Sequence, residues 1–312
     1  MQPAPALAST EPAVRRPGLA LAFLVGASLF WAINYVVGEL VVRAVDPISL
    51  TFLRWAAAAV PLVFLAQFVE RPDWRAVLRQ WPALTVLGLV GLLGYGLLLY
   101  EALRHTTAIN AGLISAANPA LIAVVAVFAL GEKLTWQRIA GLAISLIGVA
   151  LVVTRGSLDA LLSLRFNLGD LLMLGAVAAW TIYTVVMRRR TGLPPMAMLA
   201  AQAVLGTVAF APVAIASGIQ LPSTPDAWTG LAVIVLLPSI GSYLLWNLAL
   251  RHVTATTAGI SLNLLPVFTV VISLLLGAVM GPAEGLGGLL ALGGVLLASI
   301  ERRRPFSPAS HR

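Results

Sequence analysis

The chain has 312 residues, 60% hydrophobic and only 10% charged, with a formal charge of +8, no Cys and a mean hydropathy of +0.95. A soluble domain carries about 25% charged residues, so this chain cannot wet a globular surface, and disordered, collagenous and disulfide-stapled classes are excluded with it. Without Cys there is no thiolate nucleophile and no Cys-held metal site. Nineteen of the 20 basic residues are Arg, and they stand between apolar runs, where they orient helices rather than build a nucleic-acid face.

A membrane-crossing helix takes about 20 mostly apolar residues. Ten such runs follow in chain order: Leu19–Val42, Ile48–Phe68, Trp81–Leu103, Ala108–Leu130, Trp136–Val153, Leu168–Met187, Met196–Ser217, Trp228–Leu250, Thr254–Val279 and Leu286–Ile300. Arg15-Arg16 before the first run mimics a signal peptide. That run is longer than an h-region of about 7–15 residues, so it is read as a retained first helix after a tail of residues 1–17. The connections are short, and the longest, about Thr154 to Asn167, leaves no room for a soluble domain. Placing the N-terminus inside puts 15 basic residues on the inner side, among them Arg71, Arg75, Lys133, Arg188 and Arg251. Five remain on the outer side: Arg43, Arg54, Arg104, Arg155 and Arg165. This bias agrees with an even number of spans and two cytoplasmic termini.

The chain repeats itself. Ala102-Leu103-Arg104-His105 recurs as Ala249-Leu250-Arg251-His252, Ala111-Gly112 as Ala258-Gly259, Pro119 as Pro266, Gly141 as Gly287, Gly148 as Gly294 and Trp31 as Trp180. Offsets drift slowly between 149 and 146. Each copy holds five spans, an odd number, so the second enters the membrane from the opposite side. The expected fold is an all-α integral membrane protein of ten transmembrane helices in two five-helix inverted-topology repeats, the build of many secondary transporters. The expected boundaries are a first repeat over 18–155, an external loop over 156–167, a second repeat over 168–300 and a tail over 301–312.

Phe30-Trp31-Ala32-Ile33-Asn34, Pro47 with Leu53-Arg54-Trp55, Tyr100 with Ala102-Leu103, Thr106 and Ala108, Asn118-Pro119, Gly131-Glu132-Lys133-Leu134-Thr135, Gly141 and Gly148 form an ordered set. This set resembles the EamA-like branch of the drug/metabolite transporter superfamily. Residues 18–155 carry it well and 168–300 less well; Gly277 is followed by Ala278 where the family repeats Gly-Glu, and no Arg matches Arg54. The resemblance implies ten helices, no ATPase, and export or exchange of small metabolites, with amino acids preferred. Facilitators or exchangers of sugar-related metabolites, nucleobases or cationic drugs, and a non-transporting receptor or structural protein, are the alternatives. The expected setting is a bacterial inner membrane, with a small-molecule substrate as partner and the protein as monomer or dimer.

Charges at membrane depth are costly, which singles out Glu39, Arg54 and Glu101. Arg54 lies one to two turns into the second span, where it either holds a substrate carboxylate bidentately or forms a structural pair with Glu39 or Glu101. Glu39 and Glu101 are the proton-coupling candidates; the plainer reading makes each an interfacial charge, Glu101 paired with Arg104 three residues on. Asp170 reads as a charge at a helix start. Pro119 and Pro266 are expected to kink spans 4 and 9 in their interiors, with Asn118 and Asn263 beside the freed backbone. Trp31, Asn34, Tyr35, Tyr100, Trp180, Tyr183, Tyr243, Trp246 and Asn247 complete the substrate-cavity candidates. Trp31 and Trp180 stand out because both lie about 12 residues into their runs. Trp74, Trp81, Trp136 and Trp228 read as interface belts. His105 and His252 read as polar helix ends. Neither a Walker loop, a dinucleotide fingerprint, metal-ligand spacing nor a nucleophile elbow is found, so no cofactor, metal or catalytic residue is expected.

Overall fold

A Leu/Ala-rich chain in hydrocarbon must satisfy its backbone within each segment, and helices do so. The computed structural model describes residues 17–106, 111, 114–132, 134–154, 156–157, 159, 167–189, 192–275 and 282–299; among them there is no strand. The helices are α1 (Pro17–Val41), α2 (Pro47–Leu65), α3 (Trp74–Leu78), α4 (Trp81–Leu87), α5 (Tyr95–His105), α6 (Asn118–Leu130), α7 (Trp136–Thr154), α8 (Leu168–Arg189), α9 (Pro195–Ala216), α10 (Pro225–Ile234), α11 (Ser242–Ala249), α12 (Ala255–Ser261), α13 (Leu264–Leu275) and α14 (Pro282–Ser299).

Local sequence explains the ends. Asp46 caps α2 by accepting from Ser49 N at 2.9 Å, and Pro47 takes the first turn, where its missing N–H is no loss. Asp170 and Asn167 bond each other's backbone N–H at the start of α8, as its position suggested. Gly131 closes α6 in the left-handed region, φ 65°.

Three stretches are π-helical: Ala66–Glu70 prolongs α2, Gly88–Gly94 joins α4 to α5, and Val235–Gly241 joins α10 to α11. The last two are both seven residues long and stand 147 residues apart, the offset that separates Ala102 from Ala249. Two further apolar runs are broken. The fourth has a turn at residues 116–117 before α6, and the ninth a turn at 262–263 between α12 and α13. This corrects the expected mid-helix kinks. Pro119 and Pro266 stand in the first turns of α6 and α13, where a proline costs no hydrogen bond.

Among the described residues, six helical stretches are long and apolar enough to cross a membrane: Gly18–Val41, Pro47–Glu70, Trp81–His105, Leu168–Arg188, Pro195–Ala216 and Pro225–Ala249. Four more apolar helices are shorter, at 10–17 residues. Parts of the expected fourth, ninth and tenth runs lie outside the described residues. Large apolar side chains such as Phe68, Phe128, Ile215 and Leu289 point outward, as lipid permits and water does not.

Helices from the first half of the chain pack on helices from the second: α1 on α11, α2 on α9, α5 on α8, α6 on α12 and α7 on α14. Glycines set the α7–α14 approach. A Cβ at Gly141 would lie 2.6 Å from Gly294 O, and one at Gly148 would overlap the backbone of Gly287 and Ala291. The matched pairs Gly141/Gly287 and Gly148/Gly294 thus meet crosswise, as an antiparallel pair about a two-fold axis would.

Candidate functional site

Two of the π-helical stretches, Gly88–Gly94 and Val235–Gly241, and the broken helices border a buried cluster of rings. Trp180 of α8 is its hub. Its ring lies 4.8 Å from Trp31, 5.2 Å from Tyr183, 5.4 Å from Tyr95 and Trp246, and 5.5 Å from Tyr243. Most of these contacts are edge-on or tilted, the arrangements aromatic quadrupoles favour. Gly91 makes room: a Cβ there would overlap the Tyr183 ring, and Gly91 O accepts from Tyr243 Oη at 2.8 Å. A π-helical turn leaves carbonyls free for such bonds.

Beside the rings runs a polar chain. Arg54 of α2 donates from Nε to Ser239 Oγ at 2.6 Å and from Nη1 to Tyr100 Oη at 2.9 Å; Tyr100 Oη donates to Asn34 Oδ1 at 2.8 Å. Ser239 Oγ in turn donates to Ile234 O within the π-helical stretch. The guanidinium carbon also lies 5.1 Å from the Trp55 ring and 5.8 Å from the Tyr100 ring. Arg54 is 1% exposed, and among the described residues no carboxylate pairs with it. Its Nη2 has no partner. The expected structural pairing with Glu39 or Glu101 is therefore not formed: both glutamates stay at helix ends. Glu39 pairs with Arg43 at 3.2 Å, and Glu101 with Arg104 at 3.4 Å and His105 at 3.1 Å, their side chains 37% and 33% exposed. Neither proton-coupling candidate reaches the rings.

A narrow cavity opens beside this chain. Trp31, Tyr35, Tyr95, Ser115, Asn118 and Trp180 line it, with Leu262 and Leu265 at one side. Tyr35 Oη lies 2.6 Å from Ser115 Oγ and 3.4 Å from Tyr95 Oη. Trp31 Nε1, Trp180 Nε1 and Asn118 Oδ1 have no partner, and Asn263, buried at the break in the ninth run, has none at either amide atom. Asn247 exchanges hydrogen bonds with Tyr183 Oη at 3.1 and 3.3 Å. Sequence reasoning missed Trp55, Tyr95, Ser115 and Ser239. Ser115 lies one turn before Asn118 and was within reach of that reasoning; Ser239 depends on a π-helical turn that hydropathy does not register.

Two further carboxylates were missed as well. Glu70 accepts from Met196 N at 3.1 Å and Ala197 N at 2.9 Å, capping α9. Glu132 accepts from Ala255 N at 2.9 Å, Thr256 N at 3.3 Å and Thr256 Oγ1 at 2.7 Å, capping α12. Arg251 donates to Leu193 O at the same end. Its partial burial lowers its pKa, and the Glu70 carboxylate opposes that shift. Each contact ties a helix end from one half of the chain to one from the other, or closes beside such a tie. At the opposite end Thr106 Oγ1 donates to Asp170 at 2.8 Å, and Gln220 N to Ser49 Oγ at 2.8 Å.

The sequence matches the model of the EamA-like transporter family in two segments, residues 18–154 and 167–300. The chain belongs to the EamA-like transporter family. It is 28% identical over 281 residues to the uncharacterized transporter YyaM of Bacillus subtilis (strain 168), covering 88% of this chain and 92% of that one. It is 31% identical over 274 residues to a probable terminal-alkyne amino-acid exporter of Streptantibioticus cattleyicolor, covering 85% and 88%. It is 25% identical over 269 residues to the aromatic amino acid exporter YddG of Ancylobacter novellus, covering 84% and 90%. A solved crystal structure superposes with a TM-score of 0.73 at 22% identity, over 89% of this chain and 96% of that one, a likeness of fold. The EamA-like chain described here is thus a multi-pass membrane transporter.

Proposed function

We propose that the chain is a secondary transporter of ten spans in two inverted repeats of five, which exports amino acids or related small metabolites by alternating access. The π-helical stretches at matched positions, the two broken runs and the crosswise glycine contact of α7 with α14 all support the two-repeat reading. The Arg-rich side of the chain is the cytoplasmic face of a bacterial inner membrane in this reading, with both termini there.

The substrate class rests on one observation. Arg54 is a buried cation bonded only to neutral hydroxyls. A charge held in low dielectric without a counter-ion is expensive, and an arriving carboxylate offsets it, bidentately where the guanidinium is free. The names of the two exporter relatives agree with amino acids.

Counterflow tests this. Proteoliposomes are loaded with unlabelled amino acids and offered labelled ones, with and without a pH gradient. Accumulation of an amino-acid label above protein-free vesicles is expected, with Arg54→Met raising the half-saturation concentration about tenfold or more, a loss of at least about 1.4 kcal/mol. Accumulation of cationic drugs or nucleobases instead, with no amino acid moved, would overturn the amino-acid reading and leave the family membership standing.

A further inference from the structure

We propose that the turn between α2 and α4, which carries Arg71, Arg75 and Arg79, docks the anionic headgroup of a phospholipid. This surface lies apart from the ring cluster and does not depend on what the chain transports.

The turn joins two stretches that are each long and apolar enough to cross a membrane, Pro47–Glu70 and Trp81–His105, so it sits where a bilayer presents its headgroups. Its shape is set before any ligand arrives. Arg71 N donates to Ala66 O at 3.1 Å, Trp74 Nε1 to Gln67 Oε1 at 2.8 Å, and Asp73 caps α3 by accepting from Arg75 N at 2.9 Å. Within α3 the buried Val77 faces the protein, and Arg75 and Arg79, four residues apart, share the exposed side.

The charges of this turn are unmatched. Both of its carboxylates serve backbone N–H groups, Glu70 those of Met196 and Ala197, Asp73 that of Arg75. Among the described residues none accepts from the guanidinium of Arg71, Arg75 or Arg79. Arg71 adds an independent observation. It holds φ 46°, the only non-Gly residue among those described with positive φ. Gly takes that conformation without cost and a branched chain does not, so an Arg there points to a use for its side chain outside the chain's own bonds. Guanidinium pairs suit a phosphodiester, which they bond bidentately. A lipid rather than a free anion fits the surroundings: Leu65, Phe68 and Trp81 flank the turn with exposed apolar surface, where acyl chains and the headgroup boundary would lie.

The test titrates purified full-length protein in a neutral detergent with phosphatidylglycerol, phosphatidylcholine, inorganic phosphate and glycerol phosphate, and reads the thermal midpoint. Phosphatidylglycerol alone is expected to raise it, less so in high salt. Replacing Arg71, Arg75 and Arg79 together by Gln should raise the half-saturating lipid concentration about a hundredfold, about fivefold for each guanidinium. Arg43→Gln with Arg104→Gln, exposed arginines at the opposite end, should change it less than about twofold. Arg71→Gly separates binding from folding: it should leave the lipid-free midpoint unchanged or higher while the lipid binds about fivefold more weakly. Unchanged lipid affinity in the triple variant, or equal stabilisation by phosphatidylcholine, would overturn the proposal. Inorganic or glycerol phosphate binding as tightly as the lipid would mark a free-anion site and overturn it too.

Discussion

A single side chain, Arg54, shows how function and stability separate in a membrane interior. A structural arginine would be destabilising to remove, because its acceptors would be stranded. Here both acceptors have other bonds: Tyr100 donates to Asn34 and Ser239 to Ile234 O. Arg54→Met is therefore expected to leave the thermal midpoint unchanged or higher, even as carboxylate transport falls; a drop of several degrees would identify Arg54 as a fastener. Its depth was legible in the sequence, since a lone Arg well inside an apolar run is conspicuous. Its partners were not. Arg54 meets Ser239, 185 residues away, and no spacing rule links them. Glu39 and Glu101 were equally visible, yet a carboxylate at the end of a run reads alike whether it faces a cavity or the interface. Only their bonds to Arg43, Arg104 and His105 decide it.

At the scale of elements, the continuous spans were read well from hydropathy and the discontinuities were not. The fourth and ninth runs stay apolar across their breaks, so hydropathy runs on where the helix stops. A π-helical turn adds a residue without changing polarity, which hides Gly88–Gly94 and Val235–Gly241. The caps made by Glu70 and Glu132 were hidden because end-of-run charges all look like interface residues; Glu132 entered only as part of a motif. These caps tie the two halves of the chain together at one end of the bundle. Glu132→Ala strands the first N–H groups of α12, at a cost of about 1–2 kcal/mol. It is expected to speed the labelling of Ser261→Cys, buried seven residues into the ninth run, by water-soluble thiol reagents from the Arg-rich face. The chain has no native Cys, so the reading is unambiguous, and an unchanged labelling rate would show that Glu132 does not restrain this end.

At the scale of the molecule, the packing scheme pairs helices of the first half with helices of the second rather than building two separate bundles. The ordered series of matches between the halves is legible in the sequence, but the pairing of helices is not, since sequence offsets say which residues correspond and not which ones touch. The α7–α14 contact is the most sensitive example. Gly148→Leu must push apart the backbones of Gly287 and Ala291 and should destabilise by about 1–3 kcal/mol. Gly293→Ala, on α14 with open space before it, should be close to neutral. Equal effects at both sites in denaturant unfolding would refute the close packing.

The bundle is fastened differently at its two ends. Among the described residues, carboxylates of one half cap helices of the other only where Glu70 and Glu132 stand. A passive carrier cannot turn such a bias into a preferred direction of net flow, because at equal concentrations the two fluxes must cancel. The bias emerges instead as unequal half-saturation from the two faces, matched by equally unequal maximal rates, so that their ratios agree. Loosening the caps should move both ratios toward one together and leave the equilibrium distribution of substrate untouched.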